Sequence, residues 1–328
     1  NHYDLKKFNL NVSFKFLIMA SKIKNVIHLL RVRQYYKNLM IFVGIFFSVK
    51  LFDITLYFNL IVGFILLCCT SSFNYIINDI RDIENDKTHP EKIRKKPLAS
   101  GELPVSSAIF LLSLSVLIIT VSLIFIIPNI GLMLIIILMI TTGQLYNHLL
   151  KNYAFIDIII LSTGYIWRAL AGCAIIDQYV SAWLFLAIFE IALFLSIAKR
   201  KGDLMLLGKE KAFEHKKVYD QYSQKLLDQF YVLIAGSLFM TYSLYLIIKF
   251  DLFIPGGANL NEYIVIFTIP ISLYIIMRFM YLTSVNPKIA RNAEKAFLDK
   301  GMIVAVGILI IILFFSFYFE KIIEILNL

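Results

Sequence analysis

Nine near-continuous apolar runs decide what this chain can fold into. They occupy residues 38–51, 56–77, 105–127, 130–146, 154–175, 180–198, 229–249, 262–282 and 302–319. A helix rises 1.5 Å per residue, so about 20 apolar residues cross roughly 30 Å of hydrocarbon. The first run is short of that length and the rest meet or approach it. With 59% hydrophobic and 16% charged residues, a soluble domain has no interior large enough to hide the apolar surface. The expected fold is all-α: a polytopic membrane protein whose nine transmembrane helices form a bundle capped by loops on one side. Residues 1–37 form an N-terminal cytoplasmic segment and 38–328 the transmembrane catalytic domain.

Lysine and arginine set the orientation, because they collect in cytoplasmic loops. Of the 32 present, 27 fall in segments 1–37, 78–104, 147–153, 199–228 and 283–301, which share one side of a nine-span path. The other side holds only Lys50, Lys249 and Lys321, while Arg168 and Arg278 lie within runs. The expectation is a bacterial plasma-membrane protein with its N-terminus and working loops inside. The net charge of +10 then faces anionic headgroups, and no nucleic-acid motif accompanies it. In residues 21–35, Ile23, Val26, Ile27 and Leu30 recur at helical spacing opposite Lys22, Lys24 and Arg31, as in a helix lying in the membrane interface. Cys68, Cys69 and Cys173 fall within runs and lack metal-ligand spacing, so they read as packing residues.

The chemistry concentrates at residues 78–101, N-D-I-R-D-I-E-N-D-K-T-H-P-E-K-I-R-K-K-P-L-A-S-G, directly after an apolar run. Asn78, Asp82 and Asp86 are spaced i, i+4, i+8, which a continuing helix places on one face. With Asp79 as a ligand or brace, they make an oxygen-rich set suited to Mg²⁺, which shares its shell with substrate phosphates. Asp82 and Asp86 are the catalytic candidates here. The basic tail, Lys92, Arg94, Lys95 and Lys96, lies between Pro90 and Pro97, so it reads as a loop across the membrane surface. Acids that hold metal followed by cations that hold phosphate suit a magnesium diphosphate; Arg94 and Lys96 are the substrate-binding candidates of this tail.

Three other polar groups belong to the same side. Lys37 and Asn38 stand at the start of the first run, Lys37 as both a catalytic and a substrate-binding candidate. Tyr146, Lys151 and Asp157 follow the fourth run, with Gly164, Arg168 and Gly172 beyond them. Asp157 and Arg168 are ionisable groups in or at the edge of a span, which marks candidate function; the plainer alternative is a structural Asp–Arg pair. The two glycines read as points of close helix approach. Lys199, Arg200 and Lys201 close the sixth run and open a charged loop of the kind that serves as a lid or binding loop. Glu190, mid-span, requires a partner inside the bundle, and Arg278 could reach the inner surface.

The N-D-x-x-D-x-x-x-D motif, the following P-L-A-S-G and the nine runs resemble the UbiA superfamily of membrane prenyltransferases, over nearly the whole chain from Arg31. Within it, R-V-R-Q-Y-Y-K-N at 31–38, Y-N-H-L-L-K at 146–151, G-Y-I-W-R-A-L-A-G at 164–172 and A-K-R-K-G-D-L at 198–204 are closer to the decaprenyl-phosphate phosphoribosyltransferases. Gly202-Asp203 departs from the Ala-Glu expected there. The resemblance implies Mg²⁺-dependent transfer from phosphoribosyl diphosphate to a polyprenyl phosphate such as decaprenyl or undecaprenyl phosphate, with Lys199, Arg200, Lys151 and Tyr146 holding phosphates. Aromatic prenyltransferases of the superfamily carry a second acidic motif after the sixth span, where this chain has Lys199, Arg200 and Lys201. One acidic and one basic wall suit two phosphorylated substrates. The rival readings are an aromatic prenyltransferase of quinone or haem biosynthesis and a membrane transporter; the transporter is disfavoured because the polar groups gather on one side. Membrane lipid is the implied surrounding, nucleic acid is excluded as a partner, and a homo-oligomer is left open.

Overall fold

The computed structural model describes residues 21–87, 93, 96–179, 181–252 and 263–326. The first helix, α1, covers 21–30. A 3₁₀ helix, Val32–Phe42, leads into α2 (Val43–Phe47). There follow α3 (Thr55–Arg81), α4 (Ile83–Lys87), α5 (Val105–Val121), α6 (Ile130–His148), α7 (Ile156–Ile175) and α8 (Ala182–His215). The chain continues through α9 (Gln224–Lys249), α10 (Thr268–Val285), α11 (Pro287–Arg291) and α12 (Lys300–Leu326). The described residues contain no strand, in agreement with the all-α expectation. Eight helices among them are long and apolar enough to cross a membrane.

The expected first span is built differently. At about 2.0 Å rise per 3₁₀ residue and 1.5 Å per α residue, the 3₁₀ helix and α2 together extend about 30 Å. They run antiparallel to α3 from end to end. Arg31 meets Asp79 at 2.9 Å, Asn38 Nδ2 donates to Cys68 Sγ at 3.2 Å, and Tyr57 Oη donates to the Leu51 carbonyl at 2.7 Å. At the far end Tyr318 Oη donates to the Phe46 carbonyl at 2.7 Å. The crossing is thus made by the short apolar run together with the six residues before it, 32–37, with the 3₁₀ part rising further per residue than an α-helix. Neighbouring glycines admit it. A Cβ at Gly172 would lie 1.8 Å from the Ile41 carbonyl oxygen, and one at Gly44 would lie 2.7 Å from Cys173 Sγ.

The two largest apolar clusters among the described residues lie in different parts of the bundle. One joins Ile41, Leu60, Leu66, Leu132, Ile136 and Ala171; the other joins Phe194, Ile197, Tyr219, Leu227, Tyr231 and Phe279. α5 buries a single stripe, Ala108, Ser115 and Ile119, and leaves Ile109, Phe110 and Leu117 exposed, the pattern of a helix with lipid on its outer side. α1 packs through Leu29 against Ile76, Leu98 and Leu103, while Ile23 and Ile27 stay exposed. Only part of its apolar face is therefore available to an interface. The polar residues left open within spans find partners: Ser237 Oγ donates to Glu190, and Arg278 forms a two-pronged pair with Asp299 at 2.8 and 3.0 Å.

Candidate functional site

The acidic motif stands where α3 ends. Helical φ/ψ stops at Asp82 (φ −90°, ψ 8°), so α3 and α4 are separate helices rather than one. The i to i+4 ladder nonetheless passes through the break, since Asp82 N–H donates to the Asn78 carbonyl at 3.0 Å and Asp86 N–H to the Asp82 carbonyl at 2.8 Å. Asp79 and Asp86 are buried, and both converge on Lys96, whose Nζ lies 2.9 Å from Asp79 Oδ1 and 2.5 Å from Asp86 Oδ2. Arg31 adds a second cation to Asp79 and stacks 4.3 Å from the Tyr75 ring centroid. Asn78 and Asp82 are half-buried, and their side chains have no hydrogen-bond or ionic partner among the described residues. Gly101, at φ +77°, follows the turn in which Ser100 N–H donates to the Lys96 carbonyl at 3.0 Å, a conformation open to glycine without a steric cost. No group of three acidic, histidine or cysteine side chains is gathered for a metal among the described residues. What is gathered is two buried carboxylates closing on one cationic centre.

A second cluster joins α7, α8 and the loop after α8. Asp157 is fully buried, and the Arg200 guanidinium pairs with its Oδ2 through Nη2 at 2.7 Å and Nε at 2.9 Å. Tyr222 Oη donates to Asp157 Oδ1 at 2.7 Å, and Arg200 Nη1 donates to Tyr219 Oη at 3.2 Å. Tyr219 in turn donates to Asp203 Oδ2 at 2.5 Å, and Arg291 pairs with Asp203 Oδ1 at 2.9 Å. Burial, reinforced by Asp203 beside Tyr219 and by the hydrogen bond from Tyr222 to Asp157, pushes both phenols above the usual tyrosine range. Both therefore stay protonated and act as donors. Tyr146 Oη accepts from Lys216 at 3.1 Å and from Arg200 at 3.5 Å. Burial and then the Arg200 charge push the Lys216 ammonium down to about 7, with Lys151 adding to the effect and Asp157 and Asp203 opposing it. Lys37 and Lys216 both lie within electrostatic reach of Lys199. Lys151 and Lys199 have no ion-pair partner among the described residues.

The two clusters share one end of the bundle. Arg81 Nη1 reaches the Asn147 carbonyl at 3.4 Å, and the 3₁₀ helix carries Arg31 at the acids and Lys37 in the basic group. Six residues of 3₁₀ helix separate these two by about 12 Å.

The matching family model, UbiA prenyltransferase family, extends over residues 39–300. The chain belongs to the UbiA prenyltransferase family. Among curated relatives, decaprenyl-phosphate phosphoribosyltransferase of Mycolicibacterium smegmatis is 28% identical over 229 residues, covering 68% of this chain and 70% of that one. The Corynebacterium glutamicum enzyme of the same name is 27% identical over 223 residues, 67% of this chain and 66% of its own. Among solved structures, a UbiA homolog from Archaeoglobus fulgidus bound to DMAPP and Mg²⁺ superposes with a TM-score of 0.62 at 16% identity, covering 90% of this chain and 98% of the other. A structure of digeranylgeranylglyceryl phosphate synthase gives 0.61 at 19% identity with the same coverage. The chain is thus a multi-pass membrane protein with the UbiA fold.

In this UbiA-family chain the residues expected from sequence are distributed unevenly. Asn78, Asp79, Asp82, Asp86 and Lys96 come together at the α3 end; Tyr146, Lys151, Lys199 and Lys37 belong to the basic group. Arg94 lies outside the described residues, as do Lys92 and Lys95. The alternative of an Asp157–Arg168 pair is not realised. The two residues share α7, eleven positions and about 16 Å apart, and Asp157 takes Arg200 instead. Arg200, expected at phosphate, is spent on Asp157, Tyr219 and Tyr146 inside the protein. Gly202, the departure from the family pattern, has a physical reason: a Cβ there would lie 2.6 Å from Ala290 Cβ and 2.9 Å from the Pro287 carbonyl oxygen. The glycine admits α11, and the shorter Asp203 fits between Tyr219 and Arg291. Lys216, Tyr219 and Tyr222 join the cluster without having been singled out from sequence; they belong to the H-K-K-V-Y-D-Q-Y segment, which resembles the family's basic loop and whose tyrosines point into the cluster.

Proposed function

We propose that this protein transfers a 5-phosphoribosyl group from phosphoribosyl diphosphate to a polyprenyl phosphate, releasing diphosphate. The observation that carries this reading is the pairing of charge zones at one end of the bundle. Along the 3₁₀ helix about 12 Å of rise parts Arg31, which pairs with Asp79, from Lys37 of a basic group that also holds Tyr146, Lys151, Lys199 and Lys216. A pentose phosphorylated at both ends has that kind of length, with its diphosphate suited to the acidic zone and its 5-phosphate to the basic one. The names of the relatives support the same reading.

Asn78, Asp79, Asp82 and Asp86 are the residues that would hold Mg²⁺, and their oxygen donors fit that ion. Once bound, the ion supplies Lewis-acid stabilisation of charge on the leaving diphosphate. In the transfer the bond between the anomeric carbon and the diphosphate oxygen breaks, and a bond from that carbon to an oxygen of the lipid phosphate forms. The nucleophile is already an anion at neutral pH, so no side chain has to remove a proton. The chain's contribution is alignment and charge neutralisation, with Lys37 and Lys199 on phosphate oxygens and the Asp157–Arg200–Tyr219 network holding Tyr146 in place. The working end faces the cytoplasm, where a soluble phosphorylated sugar is available.

The test is diphosphate release by purified protein with Mg²⁺ and phosphoribosyl diphosphate, with and without decaprenyl or undecaprenyl phosphate. Release that requires the lipid and yields a matching lipid-linked ribose supports the proposal. Turnover of a prenyl diphosphate with an aromatic acid, and none with the lipid phosphates, would replace it with the aromatic-prenyltransferase reading.

A further inference from the structure

Arg168 is a buried cation with no counter-charge. It is 8% exposed, on α7 in the interior of the bundle. Its Nε donates to Asn38 Oδ1 at 2.7 Å, Nη2 to Ser71 Oγ at 3.3 Å and Nη1 to the Gly164 carbonyl. All three acceptors are neutral. Arg200 and Arg278 each have a carboxylate, yet among the described residues none pairs with Arg168. An interior guanidinium left in this state opposes folding, and ionisable groups inside a membrane mark ligand paths. Ser71 precedes Asp79 by eight residues on α3, so Arg168 lies about 12 Å deeper than the acidic pair. Tyr75 bridges that interval, with its ring 4.3 Å from the Arg31 guanidinium and within electrostatic reach of Arg168. Among the described residues the surroundings offer the amide of Asn38, the hydroxyl of Ser71, the thiol of Cys68 and the Tyr165 ring, 5.9 Å from the guanidinium, and no acid.

We infer that Arg168, with Asn38 and Ser71, receives a phosphate monoester within the bundle, and that this is the phosphate of the polyprenyl acceptor. The missing negative charge is the ligand's own. The apolar depth of the site suits a head group carried on a hydrocarbon tail, with its free oxygen directed up past Tyr75 toward the acidic pair. A ribose 5-phosphate offers the same chemistry, and the experiment separates the two. The naming of the acceptor rests on the function proposed above; the anion site does not.

The test uses the full chain in detergent as wild type, Arg168→Gln and Arg168→Lys. Gln keeps donors for Gly164 or Asn38 while removing the charge. Thermal midpoints are read for ligand-free protein, with farnesyl phosphate, and with phosphoribosyl diphosphate and Mg²⁺; KM is read for each substrate. Arg168→Gln is expected to match or exceed the wild-type midpoint when ligand-free and to lose the stabilisation by farnesyl phosphate. Its KM for lipid phosphate should rise at least about 30-fold, while KM for phosphoribosyl diphosphate changes by less than about threefold. Arg168→Lys should recover part of the farnesyl phosphate response. Loss of the phosphoribosyl diphosphate response alone would overturn the acceptor assignment in favour of the ribosyl donor. A fall in the ligand-free midpoint with both ligand responses intact would overturn the anion site and leave Arg168 structural. If wild type transfers no ribosyl group, yet farnesyl phosphate stabilises it and not Arg168→Gln, the proposed reaction fails and the anion site stands.

Discussion

Lys96 balances the acidic end of the bundle. Its ammonium is the shared partner of Asp79 and Asp86, and Arg31 covers only the first of these. Lys96→Met should therefore destabilise the metal-free protein, by about 3 kcal/mol, the low end of the scale for a broken buried ion pair, and Mg²⁺ should restore the loss. Thermal melts in chelator and in excess Mg²⁺ measure both; a variant as stable as wild type in chelator would remove Lys96 from this role. Asp82 makes the opposite case. Its side chain makes no hydrogen bond or ion pair among the described residues, so Asp82→Asn should fold with an unchanged midpoint and lose turnover. Retained activity at saturating Mg²⁺ would end the metal-ligand assignment.

Lys216 carries a pH signature. A lysine pushed down to about 7 is mostly neutral at pH 8 in the ligand-free protein, while in the unfolded chain it stays charged to about pH 10. Between these values the unfolded state binds the extra proton, so the contribution of Lys216 to stability rises with pH from about 7 to about 10. Below pH 7 the folded chain carries the charge beside Arg200 and Lys151, with Lys199 in range and Asp157 and Asp203 in partial compensation. A phosphate arriving in this group should draw a proton onto Lys216. Calorimetry of phosphoribosyl diphosphate binding at pH 8, in buffers of different ionisation enthalpy, should show proton uptake that Lys216→Met abolishes. Equal uptake in the variant would place the proton elsewhere.

At the scale of elements, the sequence was legible wherever one helix decided the matter. The i, i+4, i+8 spacing of Asn78, Asp82 and Asp86 needs only the local ladder, and that ladder continues through the break at Asp82. Gly172 read as a point of close approach, and the Ile41 carbonyl is what approaches. Gly172→Val should push the 3₁₀ helix off α7 at a cost of about 1–3 kcal/mol or more, read as a lowered midpoint and poorer recovery of folded protein. A wild-type midpoint would mean that the contact yields easily. Partner choice across helices was less legible. Asp157 had two arginines available in the sequence, and the decision fell to the 16 Å or so that eleven helical residues place between Asp157 and Arg168 and to the angle at which α8 presents Arg200. Lys96 was legible as a cation near acids, yet its place on both carboxylates is a contact between the loop and the end of α3 that no local spacing sets. The short first run was also ambiguous, because the crossing is completed by the 3₁₀ residues 32–37 before it, whose Arg33, Gln34 and Lys37 keep them out of any hydropathy window.

For the molecule as a whole, the contacts and the charge distribution make one statement. Arg31–Asp79, Arg81–Asn147, Lys216–Tyr146 and Arg291–Asp203 tie together five segments that the lysine and arginine distribution also assigns to a single side. The opposite end is held by uncharged contacts such as Tyr318 to Ile45 and Phe46. The consequence is a prediction about sidedness. Ser100, exposed in the turn after Lys96, and Asp53, exposed between α2 and α3, should stand on opposite membrane faces. With Cys68, Cys69 and Cys173 located inside helices and none of them exposed, single cysteines introduced as Ser100→Cys and Asp53→Cys can be read against a low background. In intact cells a membrane-impermeant maleimide should label Asp53→Cys and spare Ser100→Cys until the membrane is opened. Labelling of Ser100→Cys from outside would invert the orientation and rule out the proposed supply of phosphoribosyl diphosphate from the cytoplasm. Labelling of both positions on one face would contradict the passage of the stretched 3₁₀ segment across the bundle, since that segment and α3 together carry the chain from Arg31 to Leu51 and back to Asp79.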